Sequence, residues 1–151
     1  MRIVRSSPGD AAALTAIAFE AKRQWGYPEA WIRAWAGTLT IAPGYVASNP
    51  TFSALEGGAA AGFCALRMGA GEARVDHLWV RPAHWRRGIG RALFRHAESV
   101  ARAAGAQVLV VESDPNAEGF YLAMGAARVG RVPAHMEGVE RFLPLLEKGL
   151  C

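Results

Sequence analysis

Two hydrophobic periods alternate along the chain, and each change of period marks an element. Residues 2–5 (Arg-Ile-Val-Arg) read as a short first strand. Pro8-Gly9-Asp10 interrupts it, with Asp10 a candidate helix N-cap. Leu14, Ile17, Ala18 and Ala21 recur at helical spacing, and this helix should end near Trp25 and Gly26. Pro28 suits the first turn of a second helix, which carries Trp31, Ile32 and Trp35 and fades by Gly37. Loops are predicted at 42–44 and 48–50, each marked by proline. Residues 51–55 and 59–68 read as a hairpin across Gly57 and Gly58. A fourth strand covers 73–80, with Val75, His77 and Trp79 on one face and Asp76, Leu78 and Val80 on the other.

The second half begins with a long amphipathic helix. Ile89, Leu93, Ala97, Val100, Ala101 and Ala104 form its apolar face, and Arg91, Arg95, Glu98 and Arg102 its polar one. Gly105 closes it. Residues 107–112 are a nearly unbroken apolar strand, the pattern of a strand covered on both faces. Asp114-Pro115-Asn116 opens another helix, ending at Gly125. Residues 126–132 and 139–145 read as the last two strands, the second interrupted by Pro144. The order β-α-α-β-β-β-α-β-α-β-β is a mixed α/β plan with a βαβ unit at its centre. With no repeat or change of composition, residues 1–151 are expected to form a single domain.

Composition narrows the classes. A hydrophobic fraction of 52% with 20% charged residues suits a globular protein and not a disordered one. The N-terminus lacks the apolar core of a signal peptide, and no run approaches the ~18 apolar residues of a membrane span. A cytoplasmic protein without a membrane partner is the expectation. Cys64 in an apolar strand and Cys151 at the end suggest neither a disulfide framework nor a metal site. The net charge of +4 is concentrated, with Arg81, Arg86, Arg87, Arg91, Arg95 and Arg102 in one segment. A basic helix alone is little argument for nucleic acid, and none is expected as partner; an anionic cofactor suits the charge equally well. Arg95 and Arg102 read as a solvated helix face, whereas Arg86, Arg87 and Arg91 flank glycines and are candidates for phosphate contact.

Those glycines carry the chemistry. Between the fourth strand and the long helix the chain reads Arg81-Pro82-Ala83-His84-Trp85-Arg86-Arg87-Gly88-Ile89-Gly90-Arg91. A helix that starts in glycines exposes unpaired N–H groups and the positive end of its dipole, a ready site for a phosphate or pyrophosphate. The segment resembles the acetyl-CoA signature of the GNAT superfamily of N-acetyltransferases, Gln/Arg-x-x-Gly-x-Gly/Ala. Gly88 and Gly90 match it, and Trp85 stands where Gln or Arg is usual. The block from Glu112 to Ala126, with Asn116, Phe120-Tyr121 and Gly125, is similar to the family's segment after the fifth strand.

The resemblance implies the GNAT fold: a mixed, mostly antiparallel sheet with helices on both faces and its fourth and fifth strands splayed. It implies direct acetyl transfer from acetyl-CoA to a primary amine, with small-molecule or peptide amines as acceptors and no metal. Family members often dimerise, so a homodimer is among the expectations. By position, the backbone of Leu78, Trp79 and Val80 would meet the pantetheine arm, with the Leu78 N–H facing the thioester oxygen. The amides of residues 87–91, Ile89 among them, would hold the pyrophosphate. Asn116 would contact the cofactor or cap its own helix. Tyr121 matches the general acid for the departing thiolate; the competing reading is packing beside Phe120. For the base, Glu112 at a strand end is the first choice and Asp76, on the face of Leu78, the second. His77 reads as structural, and His84 and His96 as surface residues. Trp25, Tyr27 and Trp31 are candidates for an acceptor-pocket wall, with core packing an equal reading.

Two other classes compete. A dinucleotide-binding protein would use Gly88 and Gly90, but Leu93 replaces the third glycine and seven residues separate strand from loop. A non-catalytic acyl-CoA sensor would have no need of Tyr121 and the two carboxylates.

Overall fold

The computed structural model describes residues 1–150, and Cys151 lies outside the described residues. Its elements run β1 (Arg2–Arg5), α1 (Ala11–Gln24), α2 (Glu29–Ala34), α3 (Ala36–Leu39), α4 (Pro43–Ser48), β2 (Thr51–Glu56), β3 (Ala59–Met68) and β4 (Glu72–Val80). There follow α5 (Ile89–Ala103), β5 (Val108–Glu112), α6 (Glu118–Ala123), β6 (Ala127–Pro133) and β7 (Phe142–Gly149). The seven strands form one sheet in the order β1-β2-β3-β4-β5-β7-β6. Every neighbouring pair is antiparallel except β4 with β5. Apolar clusters lie on both faces. Leu93, Phe94 and Ala97 of α5 with Tyr121 and Met124 cover one, and Leu14, Ile17 and Ala18 of α1 with Leu39 and Val46 cover the other.

The sheet comes apart at its middle. β4 pairs with β5 only through Glu72, Ala73 and Arg74. Beyond them β4 stays with β3, Gly62 facing Val80 and Ala65 facing His77. β5 stays with β7, Glu112 facing Leu145. The expected splay is therefore present, and this mixed architecture is the GNAT fold.

A β-bulge corrects one expectation. Ala65 pairs with His77 but Leu66 pairs with Val75, which leaves Asp76 as an extra residue in β4. The alternation of faces restarts there. Ala73 and Val75 join the α5 cluster, then Leu78 and Val80 do, while Trp79 packs on the α1 side. Asp76 and His77 both reach Tyr45 of α4, one by hydrogen bond and one by ring contact. Thus Asp76 does not share a face with Leu78, and His77 does not oppose Asp76.

Smaller corrections have local causes. The helix start belongs to Ser7, whose N–H donates to Asp10 Oδ2 at 2.8 Å in a capping box; Asp10 makes no cap bond into α1. The stretch after Trp35 holds α3 and α4, which bury Leu39 and Val46. Glu98 is no part of a solvated face: it is buried between Arg95 at 2.6 Å and Lys148 at 2.7 Å. Arg95 and Arg102 also donate to the carbonyls of Met124 and Leu150, tying α5 to the end of α6 and to the residue after β7. β7 runs past Pro144 because the proline's ladder side faces Ser113, where β5 has already ended; the Pro144 carbonyl accepts from the Ser113 N–H at 2.9 Å.

Candidate active site

Two hollows meet at the splay. The larger, about 680 Å³, runs beside the N-terminus of α5. The smaller, about 70 Å³, opens among Asp76, Glu112 and Asp114. Trp25, Leu78, Trp79, Ala117 and Tyr121 line both, so anything passing between the hollows passes these five residues.

The larger hollow is built from the glycine loop. Gly88 takes φ +81°, the left-handed conformation that favours glycine, and Arg86 before it takes +64°. The first intrahelical donor is Ala92, bonded to the Gly88 carbonyl at 3.0 Å. The amides of Ile89, Gly90 and Arg91 therefore have no helical acceptor and crown the helix with positive charge. A Cβ on Gly90 would stand 3.3 Å from Phe120 and intrude on the groove wall. Arg86, Arg91 and Asn116 line the same groove, whereas Arg87 is exposed outside its wall. His84 is not a free surface residue: it lines the groove, and its buried Nδ1 has no partner among the described residues. His96 packs edge-on to Phe52 at 4.5 Å. These features fit a ligand that carries phosphates and hydrogen-bonding groups along its length, as coenzyme A does.

β4 supplies backbone to this groove, but not from all three expected residues. Arg81 N–H donates to Ala61 O at 2.8 Å. By antiparallel alternation the peptide groups of Trp79 turn towards Phe63, and those of Leu78 and Val80 turn away from β3 into the gap. The Val80 carbonyl is taken by the indole N–H of Trp85 at 2.7 Å. What remains free is the N–H and C=O of Leu78 and the N–H of Val80; Trp79 contributes its ring. Trp85, at the departure from the family pattern, anchors the loop to β4 and packs 6.4 Å from Trp25.

Tyr121 sits on α6 against Phe94 and Phe120, its ring centroid 5.8 and 5.1 Å from theirs. The ring is buried, and among the described residues no group hydrogen-bonds its hydroxyl. Burial first, then the nearby Cys64 and Asp114, push this phenol far above its ordinary value. It is a protonated hydroxyl facing both hollows.

Each carboxylate of the smaller hollow has a partner. Glu112 pairs with Arg74. Asp76 Oδ2 accepts from the Tyr45 hydroxyl at 2.5 Å and lies 3.5 Å from Arg67. Asp114 does more than open a helix. It does cap the turn, accepting from Asn116 N at 2.8 Å, so Asn116 is not the cap. It also accepts from Lys22 Nζ at 2.6 Å, from the Tyr27 hydroxyl at 2.9 Å and from Asn116 Nδ2 at 2.9 Å. Burial alone would raise this carboxyl; the Lys22 ammonium and these donors more than offset it and hold the group below its ordinary value. Burial pulls Lys22 below its ordinary value, and Asp114, 2.6 Å away, pulls it part of the way back. His77, buried, is lowered by desolvation and accepts from the Trp79 indole at 3.1 Å, in keeping with a structural role.

Around Lys22 stands an aromatic box. Its Nζ is 4.1 Å from the Trp35 centroid, 5.0 Å from Tyr27, 5.8 Å from Trp25 and 5.9 Å from Trp79. Trp31 stacks on Tyr27 at 5.8 Å. Of the three aromatic candidates, Trp25 lines both hollows, Tyr27 reaches the smaller through Asp114 and the larger through Asn116, and Trp31 stacks on Tyr27. Lys22 and Asp114 are 92 positions apart. Lys22 lies in the last turn of α1 and Asp114 caps the turn before α6, so each also has a local role. The one available signal was the density of tryptophan around residues 25–35.

No helix among the described residues is long and apolar enough to cross a membrane, and no cluster of metal-ligating side chains is found among them. Comparison with curated proteins finds no match. Among solved structures, a GCN5-related N-acetyltransferase from Rhodopseudomonas palustris superposes with a TM-score of 0.82 at 24% identity, over 98% of this chain and 94% of that one. The PaiA N-acetyltransferase from Thermoplasma acidophilum, in complex with coenzyme A, gives 0.74 at 19% identity, over 98% of each chain. YncA from Salmonella typhimurium, with its cofactor acetyl-CoA, gives 0.72 at 20% identity, over 100% of this chain and 94% of that one. The model of the acetyltransferase (GNAT) family matches residues 12–126, most of the chain, and together with the splayed sheet and the glycine loop it places this protein in the GNAT acetyltransferase family.

Proposed function

We propose that this protein transfers the acetyl group of acetyl-CoA to a primary amine, directly, in a ternary complex. One observation carries the reading: Tyr121 and the free Leu78 amide stand at the junction of a phosphate-suited groove and a separate hollow lined by carboxylates. Two substrates can then meet directly, and the five residues that line both hollows include no serine, threonine or cysteine. Acetyl-CoA supplies the activated acetyl thioester. The amides of residues 89–91, with Arg86 and Arg91, hold its pyrophosphate, and Gly90 lets the backbone approach. The Leu78 N–H donates to the thioester oxygen as charge develops there, an effect of about 3 kcal/mol in comparable oxyanion sites. Tyr121 donates its proton to the departing thiolate.

An amine with pKa near ~10 arrives protonated and must lose a proton before attack. Asp114 accepts four hydrogen bonds and has little capacity left. Glu112 keeps one oxygen outside its Arg74 contact, so we assign it the proton, directly or through water, with Asp76 as the alternative. Glu112→Gln should reduce turnover most at neutral pH, and the loss should shrink as pH approaches the amine pKa. A pH-independent loss would assign Glu112 to positioning. The reading as a whole is tested by calorimetric titration with CoA and by amine-dependent release of free thiol. CoA binding without thiol release from any amine would favour the sensor class.

A further inference from the structure

The aromatic box contains more positive than negative charge. Besides Lys22 it holds Arg141, at the start of β7, whose guanidinium lies 5.4 Å from the Tyr27 centroid, 5.2 Å from Trp31 and 5.4 Å from Trp35. Arg141 Nη2 donates to the Tyr27 hydroxyl at 3.2 Å, which uses one of five N–H donors. None of the ion pairs among the described residues includes Arg141. Asp114 is the box's carboxylate, and its hydrogen-bonding capacity is spent on Lys22, Tyr27 and Asn116. A second ammonium entering this box would find two cations and no free acceptor.

An anion would find the opposite. The three rings fix the guanidinium, and its remaining donors suit an oxyanion in the paired geometry that arginine favours. The position relative to the chemistry is also constrained. Arg141 is two hydrogen bonds from the hollow, through Tyr27 to Asp114. That hollow, about 70 Å³ against about 680 Å³ for the groove, suits the amine end of a molecule. The rest of a larger acceptor lies outside it, and Asp114, which lines the hollow and bonds Tyr27, joins it to the box that holds Arg141.

We propose that Arg141 binds an oxyanion carried by the acceptor, so that the acceptor is a zwitterionic amine of the amino-acid type. This deepens the acetyl-transfer reading and rests on it for the word acceptor. Arg141 sets specificity: it recognises the group that the amine carries and takes no part in moving protons.

The test is a panel of matched acceptors: free amino acids, the amines that lack their carboxylate, and the aminophosphonates with the same side chains. Thiol release gives kcat/KM for each. Acids should exceed their matched amines by roughly 10- to 100-fold, the range of a hydrogen bond to a charged group. Arg141→Gln should bring that ratio near unity and Arg141→Lys should keep part of it, with the affinity for CoA unchanged as a check on folding. A phosphonate preference lost in Arg141→Gln supports the same oxyanion site and identifies its ligand. Amines used as well as acids, or a preference that survives in Arg141→Gln, would overturn the proposal. A second measurement is independent of turnover. Titration of the chain with the same acids, read by tryptophan fluorescence beside Arg141, should saturate in the wild type and be flat in Arg141→Gln. Absence of thiol release with a positive titration refutes the transfer reading alone; absence of any acid-dependent signal refutes the role of Arg141.

Discussion

Replacing Tyr121 by Phe isolates one oxygen atom. The ring contacts with Phe94 and Phe120 remain, and the cavity change is negligible. The hydroxyl has no hydrogen-bond partner among the described residues, so its loss leaves no group unsatisfied. The hydroxyl opens on the two hollows rather than into packed core, so the variant should be about as stable as the wild type. A change within ~0.5 kcal/mol corresponds to about 1–2 °C in Tm for a chain of this size. The catalytic loss should be far larger. A positioned acid contributes typically ~10²–10⁴-fold, which is ~2.7–5.4 kcal/mol of barrier. Burial holds the phenol protonated throughout the working range, so it remains a donor at every assay pH. The wild-type profile should therefore show no alkaline decline attributable to Tyr121. The loss in Tyr121→Phe should be uniform with pH, unlike that of Glu112→Gln. Affinity for acetyl-CoA should change less than kcat, because the hydroxyl matters as charge develops on sulfur. An acetyl thioester with a more acidic thiol should recover part of the rate. Steady-state thiol release, with single-turnover kinetics to establish that chemistry limits kcat, makes the measurement. A kcat near wild type under those conditions would reduce Tyr121 to a packing residue.

Two other perturbations address the groove and the box. Gly90→Val places branched carbon against Phe120, where the first added atom already stands 3.3 Å away; CoA affinity by calorimetry should fall at least tenfold while unfolding stays cooperative. Asp114→Asn leaves the Lys22 ammonium, with 12% side-chain exposure, without its counter-charge, and should reduce stability at neutral pH by about 3 kcal/mol, the low end for a buried pair because Lys22 can shed its proton. In the wild type the Asp114 contribution is fully present above the unfolded carboxyl value of ~3.9 and is lost as pH falls through the lower folded value. Thermal melts from pH 6 to about 2 should accordingly show an acid loss that Asp114→Asn lacks, and parallel curves would remove Asp114 from the acid-sensitive groups.

The sequence carried the features that are local. Gly88 and Gly90 mark the loop because glycine favours the left-handed turn at Gly88 and the close wall at Gly90. The face of α5 is legible because fifteen residues repeat the helical period several times. α3 and α4, at four and six residues, span too few turns for a period to show, and Pro43 reads as a breaker although it begins a helix. Glu98 was misplaced for another reason: its partner Lys148 lies 50 positions on and turns a polar position into a buried one. Lys22 with Asp114, and Tyr27 with Arg141, are joined only by folding, and no spacing rule relates them. The acceptor side is thus the less legible half of the site, and the cofactor side the more.

The bulge at Asp76 explains why that division falls where it does. Before it, Ala73 of β4 lies beside β5 in a parallel ladder and Val75 packs with the α5 cluster. The extra residue restarts the alternation, so that the following Leu78 and Val80 face α5 while the polar pair Asp76 and His77 turns towards Tyr45. A bulge also increases the local twist of its strand. β4 accommodates that twist by staying with β3, and β5, held by β7 on its other side, does not follow. The gap between them frees the Leu78 amide, admits Tyr121 from α6 and connects the two hollows. No glycine or proline lies within β4 to announce the bulge; its one trace in the sequence is the adjacent polar pair Asp76 and His77, which interrupts the alternation. One inserted residue therefore sets which side of β4 carries Asp76 and turns Leu78 and Val80 to the α5 side, the opposite of what the period alone gives for Leu78.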